Sequence, residues 1–289
     1  MIIDVHNHPD WLDHNFEKHL ADMDACGVTK TWIQPWESPL DEYAPHFARK
    51  SPTHQDGGPI PFSYALAYAE KAPDRFVLGY APDPRRPESL DLMSSFIGMY
   101  NVKVCGEIKL RIQYDDPDMV RFFRFCGEKG LPVTLHYDYE FPYSSSYPRP
   151  NYWYGGDMDS LERLLQKCPD TNFLGHAPGF WANISGDGLH DKEVYPEGSV
   201  APGGRILELL DKYPNLYCDC SGGSGLNGLS RDPAFGKQFL TAYQDRVCYG
   251  RDNFGMDLQD FVNGLGLEQG ILDKFYYKNA LKLTHETVV

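Results

Sequence analysis

Two histidines separated by one residue, in Asp4-Val5-His6-Asn7-His8, are the first residues of the chain whose types and spacing could do chemistry. They end a short apolar segment, and side chains two apart on a strand share one side of the sheet. Two imidazoles on one side can grip a single divalent ion, although the pair alone is served equally well by surface or core histidines. Polar residues at other strand ends change that balance. His136 closes the run Pro132 to His136, His176 closes Asn172 to His176, and Asp252 directly follows Arg246 to Gly250. Glu107 and Lys109 stand inside the apolar run Val102 to Leu110. Charged side chains are rarely buried there without a partner. Strands one, four, five, six and eight thus each deliver a ligand-type side chain to one face, the pattern of a metal site.

The elements that must position these residues alternate from end to end. Eight short apolar runs read as strands: Met1 to His6, Lys30 to Pro35, Arg75 to Ala81, Val102 to Leu110, Pro132 to His136, Asn172 to His176, Asn215 to Cys220 and Arg246 to Gly250. Helical patterns lie between them. Phe16, Leu20, Met23 and Cys26 recur at helical spacing before Gly27, and Asp116-Pro117-Asp118 opens a helix that Gly130 ends. Leu161, Leu164, Leu165 and Cys168 form another, stopped before Pro169, and Ile206, Leu209 and Leu210 a fourth. Strand–helix alternation predicts a parallel sheet with helical crossovers. The whole chain of 289 residues suits one (β/α)₈ TIM barrel, an α/β fold read as a single domain over 1–289. A doubly wound sheet is the alternative. Three long segments, Glu37 to Ile60, Tyr137 to Gly156 and Phe180 to Gly204, each follow a strand's C-terminal end, where barrel active sites are built.

At these residues the chain resembles the amidohydrolase superfamily, in the amidohydrolase-related branch that contains both hydrolases and decarboxylases. The resemblance rests on Asp4 to His8, Gly106-Glu107-Ile108-Lys109, Leu135-His136, Gly175-His176, Gly250-Arg251-Asp252 and the ending Tyr277-Lys278-Asn279-Ala280-Leu281. It implies roles position by position. His6 and His8 are metal ligands; Asp252 is a ligand that also takes the proton of a metal-held water; His136 is a further ligand. His176 ligates a second metal or polarises the substrate. Glu107 matches a strand-four position where some members use a carboxylate and others a carbamylated lysine; Lys109 is the weaker candidate for the latter. Arg251 departs from the pattern, standing where a small hydroxyl residue usually precedes the aspartate; by alternation it should point away from Asp252.

Elementary chemistry supports these roles. A divalent ion with three or more nitrogen and oxygen ligands and one open position lowers the pKa of a held water to about 7. A neighbouring carboxylate can accept that proton, and the ion or His176 can stabilise the oxyanion that develops. Mixed imidazole and carboxylate donors suit Zn2+, with Mn2+, Fe2+ or Co2+ as alternatives.

Other features carry less. Lys109, Arg111 and Arg149 could meet a substrate carboxylate, and Phe180 and Trp181 could wall the pocket. The glycine-rich Cys220 to Gly225 reads as a turn where a helix starts, near enough to line the pocket. The aromatic segment Tyr137 to Tyr154 reads equally as a lid or a subunit interface. His14, His19, His46, His54, His190 and His285 read as helix-face or loop residues.

Bulk composition excludes whole classes of partner. A net charge of −14 argues against nucleic acid and anionic membranes, leaving a small-molecule substrate. Seven cysteines with no CxxC pair read as free, buried thiols in a reducing compartment. With no signal-peptide pattern and no long apolar run, the expectation is a cytoplasmic protein, and a homodimer is the commonest assembly for such a chain. The leading expectation is metal-dependent hydrolysis of an amide, ester or lactone bond, because Glu107 adds a carboxylate that could support two metals. Non-oxidative decarboxylation at the same site is the second expectation, and a barrel that only binds a ligand the third.

Overall fold

A computed structural model describes residues 1–39, 41–42, 59–139 and 153–287. The expected strands appear in order: β1 (Ile3–Asn7), β2 (Lys30–Ile33), β3 (Phe76–Tyr80), β4 (Val104–Ile108), β5 (Val133–His136), β6 (Phe173–His176), β7 (Leu216–Asp219) and β8 (Val247–Cys248). They form one eight-stranded sheet whose neighbours follow chain order, every pair parallel. Val5 donates its N–H to the Tyr249 carbonyl at 3.0 Å, and Asp252 donates to the His6 carbonyl at 2.8 Å. These two bonds bring the last strand back against the first, so the sheet is a nearly closed TIM barrel rather than a doubly wound sheet.

Helices follow the strands where the apolar spacing places them: α1 (Phe16–Ala25), α2 (Phe62–Lys71), α3 (Ser89–Tyr100), α4 (Pro117–Glu128), α5 (Met158–Lys167), α6 (Pro178–Trp181), α7 (Arg205–Lys212), α8 (Gly222–Ser230), α9 (Pro233–Ala242) and α10 (Asp257–Gly264). Their starts are chemically marked. The side chains of Asn15, Asp116 and Asp157 accept backbone N–H groups at the starts of α1, α4 and α5. Gly27 and Gly130, both with positive φ, follow the ends of α1 and α4. One expectation about loops changes: the segment after β6 begins as helix rather than loop. The glycine-rich run after β7 leads into α8, in keeping with a turn where a helix starts.

Inside the sheet, Ile3, Val5, Trp32, Val77, Val104, Leu174, Tyr217 and Cys248 pack as one layer with Ala280, Leu281 and Leu283 from the C-terminal helical segment. A larger apolar cluster joins the strands to the surrounding helices. All seven cysteines are free and buried. Among the described residues, no helix is long and apolar enough to cross a membrane.

His19 lies on a face of α1, as expected, and that face is the buried one. It is buried on the inner side of α1, edge-on to the rings of Tyr68, Phe76 and Phe254. Neither ring nitrogen finds a hydrogen-bond partner among the described residues. Burial, with Arg251 adding to it, pushes the imidazole down to about 3. The unfolded chain therefore takes up this proton first. Stability from neutral burial is complete above a pH of about 6.5 and is lost as pH falls toward 3. His19→Phe should remove up to ~1.4 kcal/mol per pH unit from the acid-side slope of unfolding free energy. Denaturant titrations between about pH 6.5 and pH 4 check this, and a variant slope equal to that of the native chain would contradict it.

Candidate metal centre

The site forms where the C-terminal ends of β1, β4, β5 and β6 meet the segment after β8. His6, His8, Glu107, His136 and His176 are all buried, and the Asp252 side chain keeps 21% of its surface exposed. Their donor atoms converge. The Nε2 atoms of His6 and His8 lie 3.4 Å apart. Glu107 Oε2 lies 3.5 Å from His8 Nε2, and Asp252 Oδ1 3.4 Å from the same nitrogen. His176 Nε2 lies 3.7 Å from Asp252 Oδ2 and 3.8 Å from Glu107 Oε1. Three overlapping groups hold their donor atoms within 4.8 Å: His6, His8 and Glu107; His6, His176 and Asp252; Glu107, His136 and His176.

Each of three rings is held from behind by its other nitrogen. His6 Nδ1 meets Asp219 Oδ2 at 2.7 Å, His8 Nδ1 meets the Gln34 carbonyl at 2.8 Å, and His176 Nδ1 meets Ser221 Oγ at 2.8 Å. An acceptor behind Nδ1 keeps the proton there and turns the Nε2 lone pair into the site. Lone pairs of His6 and His8 then face one another, and Asp252 Oδ1 is buried without a hydrogen-bond partner. Between such lone pairs only a proton or a cation can sit, and this set of nitrogen and oxygen donors fits a cation.

Charge in the site follows from its surroundings. Burial pushes His8 down to about 3 against the pull of Glu107, and it also pushes His176 well down, so both rings are neutral donors. Burial would lower His6 too, but Asp219, Glu107 and Asp252 outweigh it and carry it to about 10. His6 therefore holds a proton that a metal ion would replace. Burial would raise Glu107, yet His136, His6 and Lys109 hold it well below the usual range, as a carboxylate. Burial, opposed by His6 and assisted by Glu107, pushes Asp252 up to about 6. His136 differs from the other rings, with Nδ1 2.6 Å from Glu107 Oε1 and Nε2 2.6 Å from Asp138 Oδ2. Burial and Lys109 lower it, and the two carboxylates more than reverse this.

The substrate-facing expectations separate. Lys109 is buried just beyond β4, its Nζ 4.0 Å from the Trp36 ring centre and 5.2 Å from that of Tyr154. Arg111 places its guanidinium 5.8 Å from the same Tyr154 ring. Trp181 does not accompany them. It packs in the main core with Phe180 and Phe239 and donates its indole N–H to the Asp219 carbonyl at 2.9 Å. The short helix α6 turns it behind β7, so its link to the site runs through Asp219. Arg149 and the central part of the aromatic segment lie outside the described residues. Asp219, Gln34, Ser221 and Asp138 were not singled out from the sequence. Asp219 carried a usable signal, a carboxylate at the C-terminal end of an apolar strand.

A family model described as amidohydrolase matches residues 3–283. The chain belongs to the amidohydrolase family. No curated protein sequence matches it. Among solved structures, 2,6-dihydroxybenzoate decarboxylase from Rhizobium is 16% identical, with a TM-score of 0.60 and 98% of each chain covered. A dihydroxybenzoic acid decarboxylase from Polaromonas, with bound manganese and the inhibitor 2-nitroresorcinol, is 15% identical, with a TM-score of 0.62 and 98% and 96% of the two chains covered. A probable 2-pyrone-4,6-dicarboxylic acid hydrolase from Acinetobacter baumannii is 12% identical, with a TM-score of 0.60 and 98% and 99% covered. At these identities the likeness carries the fold.

Removing the acceptor behind His6 should be felt in cation uptake. Asp219→Asn is expected to weaken affinity for a divalent ion about 10- to 100-fold, and His6→Ala to abolish stoichiometric uptake. Elemental analysis and chelator competition on folded protein check both. Native uptake in the two variants would rule out this cluster as the cation site.

Proposed function

We propose that this amidohydrolase is a metal-dependent hydrolase that cleaves an amide, ester or lactone bond of a small molecule. The observation that carries the reading is the convergence of His6, His8, Glu107, His176 and Asp252 as acceptors around one point, with Asp252 alone reaching solvent among them. These residues would hold a divalent ion, with His136 joining through the group it shares with Glu107 and His176. Imidazole and carboxylate donors favour Zn2+, and Mn2+, Fe2+ or Co2+ would fit the same set. Such an ion, when bound, supplies Lewis acidity to a water and to the substrate oxygen.

The chain supplies the rest. Asp252, ionised above a pH of about 6, accepts the proton of the attacking water and returns it to the leaving group. Asp219, Gln34 and Ser221 keep the three imidazoles aimed, so the site is organised before substrate arrives. Lys109, set against Trp36 and Tyr154, and Arg111 on the same tyrosine put positive charge on one wall, suited to an anionic substrate group.

Decarboxylation of a small carboxylic acid is the second reading. The observation that favours it is the same Asp252. Burial raises this carboxyl, and a protonated Asp252 could give its proton to carbon. Asp252→Asn should lower kcat by about 10²- to 10⁴-fold even when enough cation is supplied to load its weakened site. Assaying native enzyme and variant against lactones, esters and amides, and against carboxylated aromatic acids with carbon dioxide detection, separates the readings. Turnover of neither class by cation-loaded enzyme, or full activity in the variant, would sink both.

A further inference from the structure

Arg251 is buried, yet it is not part of the converging cluster. Its Nε donates to Asp4 Oδ2 at 2.9 Å, and its Nη1 to Asp22 Oδ2 at 2.5 Å. Its backbone N–H donates to Asp4 Oδ1 at 2.8 Å. The same Asp4 Oδ1 accepts the backbone N–H of His6 at 3.1 Å. One carboxylate therefore grips the strand that carries His6 and the residue that precedes Asp252. Asp22 extends the grip to α1 and holds the far side of the segment, because its Oδ1 accepts the Gly255 N–H at 3.0 Å.

What lies between these anchors is unusual. Asp252 has φ of +47°, a left-handed conformation that non-glycine residues adopt at a cost and keep only when their surroundings impose it. Here the surroundings do so from every side. The Asp252 N–H donates to the His6 carbonyl, and its own carbonyl accepts the Trp11 indole N–H at 3.0 Å. The next carbonyl, that of Asn253, accepts Asn7 Nδ2 at 2.8 Å, and Asn7 Nδ2 also reaches Asp4 Oδ2 at 3.3 Å. Asp4 and Arg251 stand at the centre of this set, between the strand of the two histidines and the carboxylate opposite them.

We propose that Arg251 is a positioning residue: through Asp4 and Asp22 it holds Asp252 in its left-handed conformation and at its fixed distance from His6 and His8. A planar guanidinium spans two carboxylates in a fixed fork geometry, which the compact charge of an ammonium does not reproduce. The inference rests on the metal-site reading above. Removing both charges of a buried ion pair can leave stability unchanged, so cation affinity and absorption separate a positioning role from a structural one where melting alone does not.

The probe is Co2+ alone, titrated into metal-free protein with chelator competition and the visible absorption of the bound ion. Native protein, Arg251→Lys and the uncharged pair Asp4→Asn with Arg251→Gln are compared, each confirmed as folded by cooperative melting. The expected result is Co2+ affinity about 10- to 100-fold weaker in both variants, with a changed absorption band. A merely structural role would move the melting temperature and leave band and affinity as in the native protein. Native affinity and band in folded variants would overturn the proposal, as would failure of both variants to fold, which would make Arg251 a stability residue. If the native protein itself takes up no Co2+, the metal-site reading falls instead, and the two failures are told apart.

Discussion

Acceptors pointed at one another inside a low-dielectric core repel, and the architecture of this barrel is organised around that constraint. His6 and His8 aim nitrogens at each other across 3.4 Å, with carboxylate oxygens of Glu107 and Asp252 at similar range. Such a cluster stands only if positive charge accompanies it. The protein provides some of this itself, as the proton that three carboxylates keep on His6 and as the ammonium of Lys109. A divalent ion at the focus meets the same need with more charge. Ion and proton compete for the same lone pair, which is why cation binding and protonation belong to one equilibrium in such sites.

Holding the acceptors in place requires the barrel to be closed. The residue behind His6 comes from β7, the one behind His176 from the start of α8, and the one behind His8 from the backbone just past β2. None of these is near its ring in sequence; Gln34 and Ser221 reach theirs because β2 lies beside β1 and β7 beside β6, and Asp219 reaches His6 only when β8 returns to β1. The layer of Trp32, Leu174, Tyr217 and their companions under the site, packed against the C-terminal helical segment, gives that ring a rigid floor. Packing at one end of the strands and polar convergence at the other are two parts of one arrangement.

Much of this was legible from residue types alone. The eight strands and their order follow from apolar runs separated by helical spacing, because both patterns have a physical period. The six converging residues follow from polar side chains at strand ends, where burial without purpose is costly. What stayed hidden has a shared cause. Gln34 acts through its backbone carbonyl, which no residue type announces. Ser221 opens a glycine-rich run whose helical start is set by tertiary packing. Trp181 shows the opposite error: an aromatic residue just after a ligand strand suits a pocket wall as well as a core, and only the turn of α6 decides. Asp219 was within reach, since the reasoning that found Glu107 applies to it unchanged.

Hydrolysis and decarboxylation ask this site for opposite movements of one proton. In the first Asp252 takes it from water; in the second Asp252 gives it to carbon. Burial and Glu107 raise this carboxyl while His6 lowers it, and a bound cation would lower it further, so its surroundings pull toward both roles. On the proposed reading the bound substrate would decide the direction of transfer. A carboxylated ring held against Lys109 would present carbon to Asp252, whereas a lactone or amide carbonyl would present an electrophile to water. On the proposed reading, choice of reaction would rest with the wall formed by Trp36, Lys109, Arg111 and Tyr154, whose cations and rings pack together beside the cluster.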